Sequence, residues 1–344
     1  MIFLLEIDGS YGEGGGQILR TAISLSTLTK KPIKIFNIRA NRPNPGIKPQ
    51  HFVSINSLKK LCNAETQGLE IGSSTLTYKP GDFIGGDHKF DIGTAGSITL
   101  AFQAIILASL KTDKPVSIKL RGGTDVKWSP SWDFFKHVFL PILKRTGLTI
   151  DTKLIKRGYY PKGGGEAEIT IHPCNKIKPI KLENPQEFTD VNGIINISNL
   201  PEHISSKLKH AVIKNLLQNN YKSSIEVEKS ESLSPGIGLT IWAEKNDTIL
   251  GSTILGERGV PSEEVGRIAT MSLLNEIKSK STIDIYSFDQ VLPYMALAKE
   301  NGQSFCIIQK ISSHAQTNMW IIKQFFDVDF HSEKKEKHFK IFLK

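Results

Sequence analysis

Cysteine is scarce in this chain. Cys62, Cys174 and Cys306 stand far apart and form no CxxC pair. That removes a zinc ribbon and a disulfide framework, and it fits a reducing cytoplasm. Long apolar runs are also missing. No stretch reaches the roughly 18 residues of a membrane span, so no membrane partner is expected. The run Ile2–Leu5 stops at Glu6, too short for a signal segment, and reads as a first strand. Acidic residues are outnumbered, 34 Asp and Glu against 44 Lys and Arg, for a net charge of +10. Such a balance suits a polyanion such as nucleic acid but decides nothing about fold. Familiar nucleotide and metal signatures are absent too. There is no GxxxxGK[ST], no clean dinucleotide GxGxxG and no HExxH spacing.

What is present is globular in character, with 39% apolar and 23% charged residues. A length of 344 residues favours two or three domains. Three glycine-rich turns stand out: Gly12-Glu-Gly-Gly-Gly16, Gly93-Thr-Ala-Gly96 and Lys162-Gly-Gly-Gly165. The first precedes a helix with Ile18, Ala22, Leu25 and Leu28 on one face. The second precedes a helix, Ile98 to Leu110, that is apolar nearly all round and therefore buried. The third precedes Glu166–His172, which alternates like a strand.

An internal repeat is visible. Lys31-Pro-Ile-Lys-Ile-Phe-Asn-Ile-Arg39 resembles Lys114-Pro-Val-Ser-Ile-Lys-Leu-Arg121, and the two start 83 residues apart. Each reads as a strand after a helix, then a polar loop with Pro, then another helix from about Gln50 or Ser129. The same step would place a third copy near 197. The best candidate, Ser281–Tyr286 read as a strand, starts 84 residues later than that. An inserted domain of that size is the simplest account. The expected fold is α/β (α+β): a large discontinuous domain of repeated units over 1–183 and 279–344, and a small α/β insert over 184–278. The insert shows strands near 193–197, 226–227, 239–242 and 248–254, and an amphipathic helix with Ile204, Leu208, Val212 and Leu216. The helix at 261–278 can belong to either body. The charge-dense tail, His331 to Lys340, reads as solvated.

Several segments can carry chemistry. Glycines at a helix start expose N–H groups to the positive end of the dipole and suit phosphate, or they make a tight strand-to-helix turn. Glu13 would repel phosphate unless a hard cation such as Mg²⁺ lies between. Gln17 and Arg20, one turn apart, can face one ligand. The loop Arg39–His51 holds Arg39, Arg42 and Lys48 with three prolines, either a stiff phosphate-binding loop or an ordinary solvated one. Trp128 and Trp132 can stack on bases, although core packing is expected for at least one of them. Gln103, the lone amide of an apolar helix, needs a partner, on chemistry alone a neighbouring strand rather than a ligand. His314 follows the plausible caps Ser312 and Ser313 and sits in the first turn of a helix. The dipole there favours a neutral, nucleophilic imidazole; a surface or capping role is the plainer alternative. None of the other eight His shows such a setting.

Taken together, Asp8-Gly-Ser-Tyr-Gly-Glu-Gly-Gly-Gly-Gln-Ile-Leu-Arg20, the Arg39–His51 loop, Arg121-Gly-Gly-Thr-Asp125, Gly256-Glu-Arg-Gly-Val260 and His314-Ala-Gln-Thr-Asn318 resemble the RNA 3′-terminal phosphate cyclase family. The resemblance runs through nearly the whole chain. It implies three repeated units of two helices on a four-stranded sheet, similar to the C-terminal domain of translation initiation factor three, plus a small inserted domain. It also implies ATP-dependent conversion of an RNA 3′-phosphate into a 2′,3′-cyclic phosphodiester. By that resemblance His314 is the nucleophile that becomes adenylylated, and Glu13 holds a divalent metal, Mg²⁺ or Mn²⁺. Gln17, Arg20, Arg42 and Gln50 line the phosphates or the RNA end. Gln103, Pro130, Tyr286, Asp289 and Gln290 surround the adenosine. Some members of ribosome assembly lack the nucleophilic His, and this chain keeps it. Two alternatives stand beside this reading: a non-catalytic RNA-binding assembly factor on the same fold, and an enolpyruvyl transferase suggested by the repeat architecture alone.

Overall fold

The computed structural model describes residues 4–343. Ile2 and Phe3 of the first apolar run lie outside the described residues. The first unit runs β1 (Leu5–Asp8), α1 (Gly16–Thr29), β2 (Ile33–Phe36), α2 (Pro49–Leu61), β3 (Glu65–Gln67) and β4 (Leu76–Lys79). The second runs β5 (Gly86–Asp91), α3 (Ile98–Ala108) and β6 (Val116–Gly122). It continues through α4 (Trp132–Phe134), a π-helical turn (Phe135–Phe139), α5 (Leu140–Arg145), β7 (Ile150–Lys156) and β8 (Gly165–Ile171). Their sheets have the same topology, β1-β2-β4-β3 and β5-β6-β8-β7, with the first pair parallel and the others antiparallel. The repeat in the sequence is thus a repeat in topology: β2 and β6 start at Ile33 and Val116, 83 residues apart.

Next come β9 (Asp190–Ser198), α6 (Glu202–Gln218), β10 (Lys222–Ser230), β11 (Gly236–Lys245), β12 (Thr248–Leu255) and α7 (Ser262–Lys278). These strands form a separate sheet, β10-β9-β11-β12. Leu208, Val212 and Leu216 of α6 and Val265, Ala269 and Leu273 of α7 close over it in a second hydrophobic core. Helix α7 therefore packs with this sheet. Its side chains recur every four residues, so one face stays on α6 and the strands.

The last elements are α8 (Ile285–Leu297), β13 (Phe305–Ile308), α9 (Ser313–Phe325), β14 (Phe330–Lys334) and β15 (Phe339–Leu343), with sheet order β13-β15-β14. One expectation does not hold. Ser281–Tyr286 is not a strand. Asp284 caps α8 by accepting hydrogen bonds from the backbone N–H groups of Tyr286 (3.0 Å) and Ser287 (2.8 Å), so the helix has begun where the strand was expected. Only Thr282 and Ile283 reach the third sheet, through Ile307, and Ile283 also bridges Ile249 of β12. The third sheet accordingly has three strands, and its counterpart of β2 and β6 is β13. The charge-dense tail is exposed over His331–Lys337, as expected, and forms part of the β14–β15 hairpin.

The helices of the three units meet one another, α1 against α2, α3 and α9, and α8 against α3 and α9. Helix α1 is therefore buried nearly all round, including Ile18, Ile23 and Leu25. Burial of each such side chain contributes about 1.5–3 kcal/mol. A helix this deep offers a ligand its ends rather than its sides.

Candidate active site

The N-terminus of α1 is made by the glycine turn. Gly12 and Gly14 adopt φ of 58° and 54°, a left-handed backbone that glycine enters without penalty. Gly15 then supplies an extended N-cap with no side-chain cap, which leaves the first-turn N–H groups of α1 free for an anion. The turn is walled in closely. A Cβ on Gly12 would come within 2.6 Å of Thr317 Oγ1, one on Gly15 within 3.3 Å of an Arg42 nitrogen, and one on Gly16 would overlap the His51 ring.

Helix α9 delivers His314 to this turn. The Ser312 hydroxyl accepts from the Ala315 N–H at 3.0 Å and fixes the helix start, so His314 lies in the first turn, half-exposed. Its Nδ1 is hydrogen-bonded to Gln17 Oε1. An amide oxygen only accepts, so Nδ1 is the donor in this contact. Nε2 lies 3.3 Å from Glu13 Oε2, and Arg42 lies 3.2 Å from the same carboxylate oxygen. Ser313 donates to the other oxygen, Oε1. That hydrogen bond is the main reason the Glu13 carboxyl is held below its ordinary value, with the charges of His314 and Arg42 adding to it against partial burial. Glu13, Gln17, Arg42, Ser313 and His314 thus form one cluster drawn from opposite ends of the chain.

Behind it, Gln17, Arg20, Gln103, Gln290 and Asn318 line a narrow cavity of about 30 Å³, the size of one or two water molecules rather than of a nucleobase. Burial pushes Arg20 down to about 10 against the attraction of Asp289, so it stays a cation at neutral pH. Burial pushes the Asp289 carboxyl up to about 7, with Asp284 adding to the shift and a hydrogen bond from Gln290 and the charge of Arg20 opposing it. Asn318 ties the helices together: its amide donates to the Asp289 carbonyl at 2.7 Å, and its oxygen accepts from Thr21 at 2.9 Å. Gln17 Nε2, both polar atoms of Gln103, and Nε of Arg39 and Arg42 are buried with no hydrogen-bond partner among the described residues. Each unmet group costs about 1–3 kcal/mol, which a ligand supplying oxygens and donors would recover. A nucleotide's phosphates fit the bare helix end, Arg42 and Gln17. A divalent cation fits Glu13 with the remaining ligands taken from phosphate and water, since the described residues contain no group of three or more acidic, His or Cys side chains that could hold one.

Not every expected residue joins this cluster. Gln50 is exposed at the start of α2 with its amide 3.5 Å from His51. Pro130 is half-buried, its carbonyl accepting from Thr99 Oγ1 at 2.7 Å. Tyr286 is exposed in the first turn of α8. None of the three shares a described hydrogen bond, ion pair or cavity wall with His314. Among the described residues Gln103 hydrogen-bonds to no neighbouring strand.

His51 corrects the reading that only one His has a special setting. It too lies in the first turn of a helix, α2, buried beneath Gly16, with Nδ1 accepting from the Lys48 N–H at 3.3 Å. Burial, reinforced by Arg20, Arg39 and Lys48, drives it down to about 3 and keeps it neutral. Pro49 at the helix start was the available signal. Ser313, the other missed group, was visible only as a cap candidate.

Such a site, a bare helix end with a cationic wall and an imidazole aimed at it, belongs to proteins that handle phosphate esters. Comparison with known proteins narrows the class. The sequence model of the RNA 3′-terminal phosphate cyclase family matches residues 11–332. Curated relatives named RNA 3′-terminal phosphate cyclase include one from Pyrococcus furiosus, 43% identical over 94% of this chain and 93% of its own length. One from Methanosarcina acetivorans is 40% identical over 98% and 99%, and one from Nitrosospira multiformis 39% over 94% and 92%. The chain belongs to the RNA 3′-terminal phosphate cyclase family and is an enzyme of that family. No helix among the described residues is long and apolar enough to cross a membrane.

Proposed function

We propose that this protein is an ATP-dependent RNA 3′-phosphate cyclase of the cytoplasm that works through a covalent His314–AMP intermediate. The supporting observation is the contact of His314 with Gln17 and Glu13, 297 and 301 residues earlier in the chain. Gln17 holds the Nδ1 proton, so the Nε2 lone pair attacks the α-phosphorus of ATP and diphosphate leaves. An oxygen of the RNA 3′-phosphate then attacks the same phosphorus, breaking the N–P bond and forming an anhydride. The vicinal 2′-hydroxyl attacks the 3′-phosphorus, loses its proton and expels AMP, which leaves the 2′,3′-cyclic phosphodiester. The first transfer supplies a leaving group, and the ribose holds the attacking hydroxyl close.

The N-terminal N–H groups of α1, Arg42 and Gln17 bind the phosphates, with Arg20 supplying a second, deeper charge. A divalent cation held by Glu13 would neutralise the carboxylate's pull on the imidazole and screen the phosphate oxygens. Gln50 is assigned to the RNA end, and Gln103, Pro130, Tyr286, Asp289 and Gln290 to the adenosine side. The catalytic body is assigned to 1–183 and 279–344, with 184–278 inserted. The test uses α-labelled ATP with Mg²⁺ or Mn²⁺. Wild type should trap an acid-labile AMP adduct and convert a 3′-phosphorylated oligoribonucleotide to its cyclic form, and His314→Asn should do neither. An unlabelled wild-type protein would refute the mechanism and favour a non-catalytic RNA-binding role.

A further inference from the structure

Three of the four tryptophans are packed against another ring. Trp320 stacks on Tyr11 at 4.0 Å, Trp132 meets Phe135 at 5.8 Å in the core, and Trp242 stacks on His137 at 4.8 Å. Trp128 is the exception. It is 95% exposed and makes no ring contact among the described residues. Its backbone is also strained, with φ of 60°, in a turn where Gly or Asn would rest without cost. A bulky side chain in that conformation, contributing nothing to the core, marks a position held for something other than stability.

The surroundings say what that is. Trp128 stands at a largely apolar cleft of about 450 Å³ whose lining includes Val126, Leu255, Val260 and Ile268, with Lys127 and Glu257 as its charged members. The cleft shares Glu257 and Val260 with a hollow of about 620 Å³ that includes His203, Lys207 and Arg258. Lys127 is paired with Glu257 at 2.7 Å, whereas Arg258 is exposed and in no described ion pair. The turn is anchored to the site already described. Gly123 bridges Ser97, the N-cap of α3, and Pro130, two residues beyond Trp128, is bonded to Thr99 in that helix's first turn. Gln103, one turn further along α3, lines the cavity behind Gln17 and Arg20. A flat, solvent-facing π-surface with the unpaired Arg258 in the adjoining hollow, joined by short chain to the start of α3, suits a base of a single-stranded nucleic acid stacking by its face.

Resting on the function proposed above, we propose that Trp128 is a stacking platform for a nucleobase of the single-stranded RNA that leads to the reacting 3′-phosphate. The indole accepts any base by its face, so this subsite contributes affinity and register without sequence preference. The experiment is fluorescence anisotropy with a labelled single-stranded RNA carrying a 3′-phosphate, without ATP, on the full-length wild type, Trp128→Ala, Trp128→Phe and Trp128→Gly. Loss of one stacked base weakens binding about 5- to 150-fold in the Ala and Gly variants. Phe restores most of it. Trp128→Gly should raise the thermal unfolding midpoint while it weakens RNA binding, a pairing that a structural role would not produce. Unchanged RNA affinity in Trp128→Ala, or no RNA binding by wild type, overturns the proposal, the first of these leaving the ring to a protein partner. Adenylylation of wild type, measured in parallel, decides the cyclase reading separately. A wild type that is not adenylylated but loses RNA affinity on Trp128→Ala keeps the platform and sinks the cyclase.

Discussion

Replacing Arg157 with Met removes one cation from a cage of carboxylates. Arg157 is 1% exposed, and each of its five N–H groups is used. Nε–H and one Nη2–H donate to Glu228 at 3.0 and 2.8 Å, the other Nη2–H to Asp133 at 2.9 Å, and the two Nη1–H to Asp133 at 3.0 Å and Asp125 at 3.2 Å. Asn196 donates to Asp133 at 2.9 Å and accepts from the Tyr159 hydroxyl at 2.7 Å. Glu228 and Asn196 stand on β10 and β9, the other members on the second unit, so the cage fastens the small sheet to the body. Glu228 is half-exposed and its share is screened. The two buried aspartates carry the cost, about 3–5 kcal/mol when a buried partner is removed. At roughly 2.1 cal/mol/K per residue over the whole chain, that is a fall of about 4–7 °C in unfolding midpoint.

A pH series distinguishes this from a simple packing loss. Asp125 already has its carboxyl pushed up, mainly by burial and then by Asp133, with Arg157 holding it down. Removing the cation raises the Asp125 carboxyl further in the folded state only. The folded protein then holds protons that the unfolded one has released, so the variant's stability falls as pH rises. Denaturant titrations should show the deficit of Arg157→Met shrinking from pH 8 to pH 5. A deficit below about 1 kcal/mol, or one that does not move with pH, would refute the cage as a fastening.

Two further outcomes are expected. Gly16→Ala places a methyl against the His51 ring and should cost about 1–3 kcal/mol and abolish the AMP adduct. A double-mutant cycle with His51→Ala in urea should show strong coupling, and additive effects would disprove the overlap. Glu276 is buried, its carboxyl raised to about 7 by burial and by Asp284, while accepting from Ser281 at 2.8 Å. The native state therefore keeps a proton that the unfolded chain loses above about 4.5, so this group lowers stability as pH climbs from there to about 7 and adds nothing further beyond. Glu276→Gln should flatten that slope in pH-dependent denaturation; an unaltered slope assigns it to other groups.

The glycine turn, the first-turn position of His314 and the repeated strand–helix pattern could be read from the chain, because each rests on local chemistry: glycine dihedrals, a serine cap, apolar periodicity. What escaped was tertiary. Ser281–Tyr286 alternates like a strand, yet Asp284 captures two N–H groups and starts a helix, a choice that period-two patterning does not register. His51 gains its setting from a glycine 35 residues earlier that lets the ring lie beneath it, and from Arg20 and Arg39 nearby. Arg157, flanked by Lys156 and Gly158, carries no mark in the sequence of three carboxylates converging on it.

The pairing of Gln17 with His314 has a consequence for synthesis. A ribosome adding about 5–20 residues per second finishes the first partner about 15–60 s before the second. Throughout that interval the growing polypeptide carries the glycine turn without Thr317 and His314, the side chains that α9 brings against it. On the function proposed above, a product terminated upstream of α9 lacks the nucleophile and consumes no nucleotide.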